Sequence, residues 1–203
     1  MPSTLPPAPD FGAPCPVEPS QATLDLLARR RSSSAQTLVG PGPDADQLAD
    51  LLRIAARAPD HGKLTPWRFV VLQGEAKDRF VAALRALAPT QANPEKAQTV
   101  LAKIANPPLT VAVICAPKVG PKPVWEQELS AGAVCTLLLV AAEAMGFGAN
   151  WITDWYAYDT AALKLLGAGE GEKVAGFVQL GSCSEVPLER VRPVLDEIVT
   201  HWG

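Results

Sequence analysis

Five ionisable side chains, Arg57, Asp60, His61, Lys63 and Arg68, crowd into the stretch Arg57-Ala58-Pro59-Asp60-His61-Gly62-Lys63-Leu64-Thr65-Pro66-Trp67-Arg68. Together they offer fixed positive charge, a carboxylate and an imidazole that titrates near neutral pH. On a short loop closed by Trp67, such groups suit the binding of a small polar ligand, although a solvated loop with ordinary surface charges would read the same way. A second cluster, Arg29-Arg30-Arg31-Ser32, suits an anion. Guanidinium forks match phosphate oxygens in pairs and the Ser32 hydroxyl adds a donor. The plainer alternative is that these arginines complement the negative end of a helix dipole.

Both clusters sit at element ends. Ser20 offers an N-cap to a short helix carrying Leu24, Leu27 and Ala28, which delivers Arg29 to Ser32 to its end. Asp44 with Gln47 forms a capping box for a helix that runs on Leu48, Leu51, Leu52 and Ile54 until Pro59 stops it. Phe69 to Leu72 then reads as a strand, Phe80 to Leu87 as a helix stopped by Pro89, and Asn93-Pro94 as the start of another. Leu109 to Ala116 is a buried strand. The apolar run Ala131 to Ala142, capped near Gly146, is the expected central helix, too short and too closely flanked by Glu126, Glu128 and Glu143 to span a bilayer. Gly148 to Thr153 and Val174 to Leu180 complete the strands, with an Asp159-capped helix between them. Alternation of helices and strands predicts an α/β sandwich of mixed strand direction.

The chain has 203 residues, 48% of them hydrophobic, and a net charge of -3, which suits one compact domain and argues against a nucleic-acid surface. Residues 1–19 carry seven prolines and read as a flexible or surface-draped tail, leaving 20–203 as the single domain. Four scattered cysteines and two histidines give no metal-ligand spacing. Without the basic-then-apolar pattern of a secretory signal, the cytoplasm is the expected compartment. No G-x-S-x-G elbow, P-loop or dinucleotide fingerprint occurs, which disfavours a serine hydrolase, an NTPase and a Rossmann dehydrogenase. The apolar terminal arm, with Val194, Leu195, Ile198, Val199 and Trp202, should pack on something, a second subunit included.

Five motifs in order then resemble the nitroreductase family, most closely its small single-domain NAD(P)H nitroreductase branch. They are Arg30-Arg31-Ser32; Ala58-Pro59-Asp60-His61 running to Pro66-Trp67-Arg68-Phe69; Trp125-Glu126-Gln127 leading into Ser130-Ala131-Gly132-Ala133; Gly146 to Trp151; and Gly176-Phe177 near Leu180-Gly181. The resemblance implies an α+β fold, a mostly antiparallel sheet flanked by helices, with a C-terminal arm crossing to the partner of a homodimer. It implies FMN at shared sites, held by Arg30, Arg31, Ser32, Trp151, Ile152 and Thr153 of one chain and by Arg57 and His61 of the other. It further implies NADH or NADPH as reductant and a small-molecule electron acceptor such as a nitroaromatic or quinone, reduced by a two-step mechanism. It names no proton-donating side chain. A flavin reductase, a metabolite dehydrogenase and a non-catalytic flavin-binding dimer are the alternatives.

Overall fold

The computed structural model of the chain describes residues 5–60 and 62–203. In chain order these form α1 (Gln21–Arg29), β1 (Leu38–Val39), α2 (Ala45–Ala55), β2 (Trp67–Gln73), α3 (Gly74–Leu87), α4 (Pro94–Val100), α5 (Ala102–Ala105), β3 (Leu109–Cys115), α6 (Val124–Ala144), β4 (Gly148–Ile152), α7 (Thr160–Leu165), β5 (Lys173–Cys183) and α8 (Leu195–Ile198). The caps act as their chemistry dictates. Ser20 accepts the Thr23 amide, Asp44 and Gln47 close a full capping box, and Asn93 and Asp159 cap α4 and α7.

The sheet runs β2-β3-β5-β4, with β1 beside the last residues of β5, and every pairing is antiparallel. The expectation of mixed direction is corrected here, and the crossovers give the reason. The chain leaves β2 at Gln73, travels out along α3 and back through α4 and α5, and re-enters the sheet at Leu109, directly opposite Gln73. The single helix α6 returns the chain to the starting end of β3, so β4 follows the direction of β3, but β5 lies between them and opposes both.

Two cores flank the sheet. Leu109, Val111, Val113 and Cys115 of β3 face α2 and α6, whereas Ala112 and Ile114 face α3, α5 and α7, as a strand's period of two requires. Helix α6 is longer than the expected 131–142, because Trp125 to Leu129 continue it despite their two glutamates. By length and composition alone it could cross a membrane. Nine of its side chains are buried in this fold. Its other side, with exposed Trp125, Leu129 and Thr136 and half-buried Ala133, Leu137 and Val140, is only partly covered by this chain.

The proline-rich tail lies on its own chain. Residues Leu5 to Pro9 line a groove with Arg53, Ile54 and Arg57, and the Phe11 ring sits 5.5 Å from the Lys63 ammonium. At the other end, residues 184–203 leave the sheet without burying a single side chain.

Candidate functional site

The exit of α1 carries the anion-binding groups. Arg30 reaches the Ser32 hydroxyl at 3.5 Å, and the Ser33 carbonyl accepts the side-chain amide of Asn150, which fastens this segment to β4. The Ser33 amide donates to Ala149 O at 2.9 Å, and its hydroxyl lies 3.1 Å from Cys183 Sγ. Gly148 makes this closeness possible: a Cβ there would meet Cys183, Leu38 and Ser33 within 3 Å. Arg31, Ser32, Ser33, Ser34, Thr37 and Asn150 line one side of a cavity of about 490 Å³, walled on the other by residues 185–189. Guanidinium, hydroxyl and amide donors dominate the α1 side, a donor set that fits the phosphate of a cofactor such as FMN.

The loop 59–66 is wired differently. The Asp60 carboxylate accepts the amides of Lys63 and Thr65, each at 2.9 Å, and so holds both in positive φ, at 61° and 45°. Such angles are unfavourable for a residue with a Cβ and for β-branched Thr above all, by about 1–3 kcal/mol each. Two charge-assisted bonds offset that strain. Below the loop, Trp67 Nε1 donates to Ser130 Oγ at 3.1 Å, and Ser130 donates to Pro59 O at 2.6 Å. Gln127, wholly buried, accepts the Lys118 amide and donates to the carbonyls of Lys118 and Lys122, fixing the loop before α6.

Of the five ionisable residues read from the sequence, Asp60 organises its own loop and Arg68 pairs with Glu172 at 2.6 Å, holding that carboxyl below the usual range. Arg57 and Lys63 are exposed, facing the tail, and His61 lies outside the described residues. The β4 residues divide. Trp151 packs its indole across Gly176, where a Cβ would fall 1.9 Å from Nε1, and donates to Ala175 O. Its ring reaches toward Gly132 of α6 and remains 38% exposed. Ile152 turns to the opposite face, against the core around Phe177, so its side chain cannot join Trp151. Thr153 is exposed, its hydroxyl 3.2 Å from that of Tyr158.

Helix α6 measures how far apart the two halves lie. Ser130 marks the loop end, and Glu143, whose carboxylate accepts the Arg31 amide, marks the arginine end. Thirteen residue-to-residue steps of helix separate them, about 20 Å at about 1.5 Å per step. One chain therefore does not bring Arg30, Arg31 and Ser32 together with Arg57. Sequence reasoning missed Asn150, Ser130 and Asp60 as organisers; Asp60 ahead of Gly62 was readable as a turn former.

An antiparallel α+β sheet wrapped by helices, with a donor-rich pocket at a sheet edge, defines a class that the family comparison makes explicit. Residues 27–182 match the model of the Nitroreductase family, and the chain belongs to that family of oxidoreductases. It is 37% identical over 164 residues to "Putative NAD(P)H nitroreductase YdjA" of Escherichia coli K12, covering 78% of this chain and 87% of that protein. A Haemophilus influenzae protein named "Putative NAD(P)H nitroreductase" is 34% identical over 183 residues, 88% of this chain and 98% of its own. Among solved structures, a nitroreductase-like family protein from Bacillus cereus superposes with a TM-score of 0.78 at 20% identity, covering 92% of this chain and 99% of its own. A nitroreductase from Desulfovibrio desulfuricans, solved in complex with FMN, gives 0.71 at 17% identity, with 91% and 99% covered. These likenesses agree with the fold expected from the five motifs.

Proposed function

We propose that the chain is an FMN-dependent NAD(P)H oxidoreductase that acts as a homodimer and reduces electron-poor acceptors, such as nitroaromatics or quinones, in two half-reactions. The relatives' names and the FMN complex of a structural neighbour support the cofactor and reductant. When bound, FMN supplies the redox chemistry by taking a hydride from NADH or NADPH and passing electrons to the acceptor, while the protein supplies binding, orientation and electrostatics. The segment Arg30-Arg31-Ser32 is the phosphate side. The exposed indole of Trp151, the backbone at Ile152 and the Thr153 hydroxyl line the ring side. Arg57 and His61 complete each site from the second chain, and positive charge from Arg57 and Lys63 favours electron density arriving beside them.

The 20 Å separation along α6 is the observation that carries this reading, since it makes the two halves natural partners only across an interface. The partly covered side of α6 points the same way. A helix apolar all round is normally buried all round, and here one side is left partly open together with Leu24, Leu27 and the whole arm tip. Four free cysteines suit the reducing cytoplasm.

Mixing Arg30→Ala with Arg57→Ala tests the shared site. Each homodimer should be strongly impaired. In a heterodimer one site receives both lesions and the other neither, so activity should recover to roughly half of wild type per heterodimer, by the symmetry of a two-fold interface. Activity that stays at the mutant average despite verified subunit exchange would refute the shared site.

A further inference from the structure

Arg30 and Arg31 are adjacent in sequence but differ in what they touch. Arg30 donates to the Ser32 hydroxyl and meets no carboxylate among the described residues. Arg31 is engaged from three sides. Its amide donates to Glu143 Oε1 at 3.3 Å, its Nε donates to Leu188 O at 2.7 Å, and Glu189 lies 3.7 Å from the same nitrogen. The arm closes around it: Arg192 pairs with Glu189 at 3.0 Å and donates to Arg30 O at 3.1 Å. The hydrogen bonds from Arg190 and Arg192, together with the nearby Arg31 charge, keep the Glu189 carboxyl below the usual range, so it is ionised at neutral pH.

Upstream, the amide and hydroxyl of Ser184 both donate to Thr37 O, at 3.0 and 2.9 Å. Downstream of Arg192, the described hydrogen bonds are internal to the arm. The arm therefore has a pinned root, 184–192, and an unpinned apolar tip. Whatever direction the tip takes is inherited from the root, and Arg31 is a residue of the folded domain whose side chain reaches into that root, at Leu188 and Glu189.

We infer that Arg31 is a positioning residue for the C-terminal arm: its guanidinium clamps Leu188 and Glu189, fixes the angle at which the arm leaves the fold, and thereby sets where the arm meets the second copy. The clamp is a property of the single chain. Its consequence for the dimer rests on the homodimer proposed above.

Glutamine makes the test specific. Gln places its Nε2 at the same point along the side chain as the Arg Nε, so it can still donate to Leu188 O, but it carries no charge for a phosphate. With full-length protein, Arg31→Ala should speed amide hydrogen exchange over 184–192 and weaken dimerisation, each by about tenfold, the scale of one lost charge-assisted bond. Arg31→Gln should restore both to within about threefold of wild type, while the ratio of FMN to riboflavin affinity, which reads the phosphate alone, separates the clamp from any contact Arg31 makes in the cavity it lines. The clamp is overturned if Arg31→Ala leaves arm exchange unchanged. It is equally overturned if both variants lose about tenfold in FMN over riboflavin while the arm stays protected, which would leave Arg31 with a phosphate role alone. Should wild type bind no flavin, the proposed function fails, yet arm exchange still decides the clamp.

Discussion

The two charged segments at the ends of α6 are built on opposite plans. Loop 59–66 closes on itself: one carboxylate holds two strained residues, and the Trp67–Ser130–Pro59 relay bolts the result to the helix. The Arg30 to Ser34 segment has little local order of its own. Glu143, Asn150, Leu188 and Arg192 hold it from far along the chain. The first is set before any partner arrives; the second depends on how the chain's last twenty residues are held. In the proposed shared site, preorganisation would belong to one half and assembly to the other.

The comparison breaks most visibly at the arm. Deleting 193–203 removes Val194, Leu195, Ile198, Val199 and Trp202, all exposed in the single chain. It should convert dimer to monomer by sedimentation and cut turnover by about a hundredfold, the usual cost of misplaced reacting groups. A truncated protein that remains dimeric would remove the arm from the account. Asp60→Ala is the matching lesion at the other end. Loss of its two amide bonds should lower unfolding free energy by about 2–3 kcal/mol in urea titrations, and weaken turnover while leaving dimerisation intact. If arm exchange shifts as much as turnover, the two ends are coupled rather than separate.

Lys77 supplies a baseline that belongs to neither end. It is 3% exposed on α3, its ammonium donating to the carbonyls of Pro107 and Ala105, and burial pushes its pKa from 10.5 down to about 8. Between these values the unfolded chain binds the proton more readily than the folded one, so stability rises with pH through that window, and below about 8 the full cost of a buried charge is present. Relative to Lys77→Met, wild type should gain about 1–2 kcal/mol between pH 8 and 10. Urea unfolding at both pH values checks this, and a constant difference would mean the amine keeps its proton. Neither dimerisation nor the FMN to riboflavin ratio should change in Lys77→Met.

Local chemistry was the legible part of this sequence. Ser20, Asp44 with Gln47, Asn93 and Asp159 each bind the amide their types and positions predict, and Gly146 ends α6 at a φ of 82°. Strand direction, which the family resemblance implied, was not legible from the alternation of helices and strands, because it depends on whether a crossover makes one pass or two. The α4–α5 leg that settles it is too short to announce its path. Helix α6 was under-read because Glu126 and Glu128 look like a flank, although helix interiors tolerate Glu well. The opposite orientations of Trp151 and Ile152 follow from strand alternation and could have been drawn from their adjacency alone. The engagement of Arg31 by Leu188 could not, since nothing near either residue signals the other.

Helix α6 also constrains how this chain can change in length. One residue inserted between Ser130 and Glu143 would rotate the two ends by about 100° and move them apart by about 1.5 Å, so that either the Pro59 or the Arg31 attachment must be lost. Seven residues would return the faces nearly to phase, yet leave the ends about 10 Å further apart. Within this segment, insertions and deletions are therefore excluded at every small size.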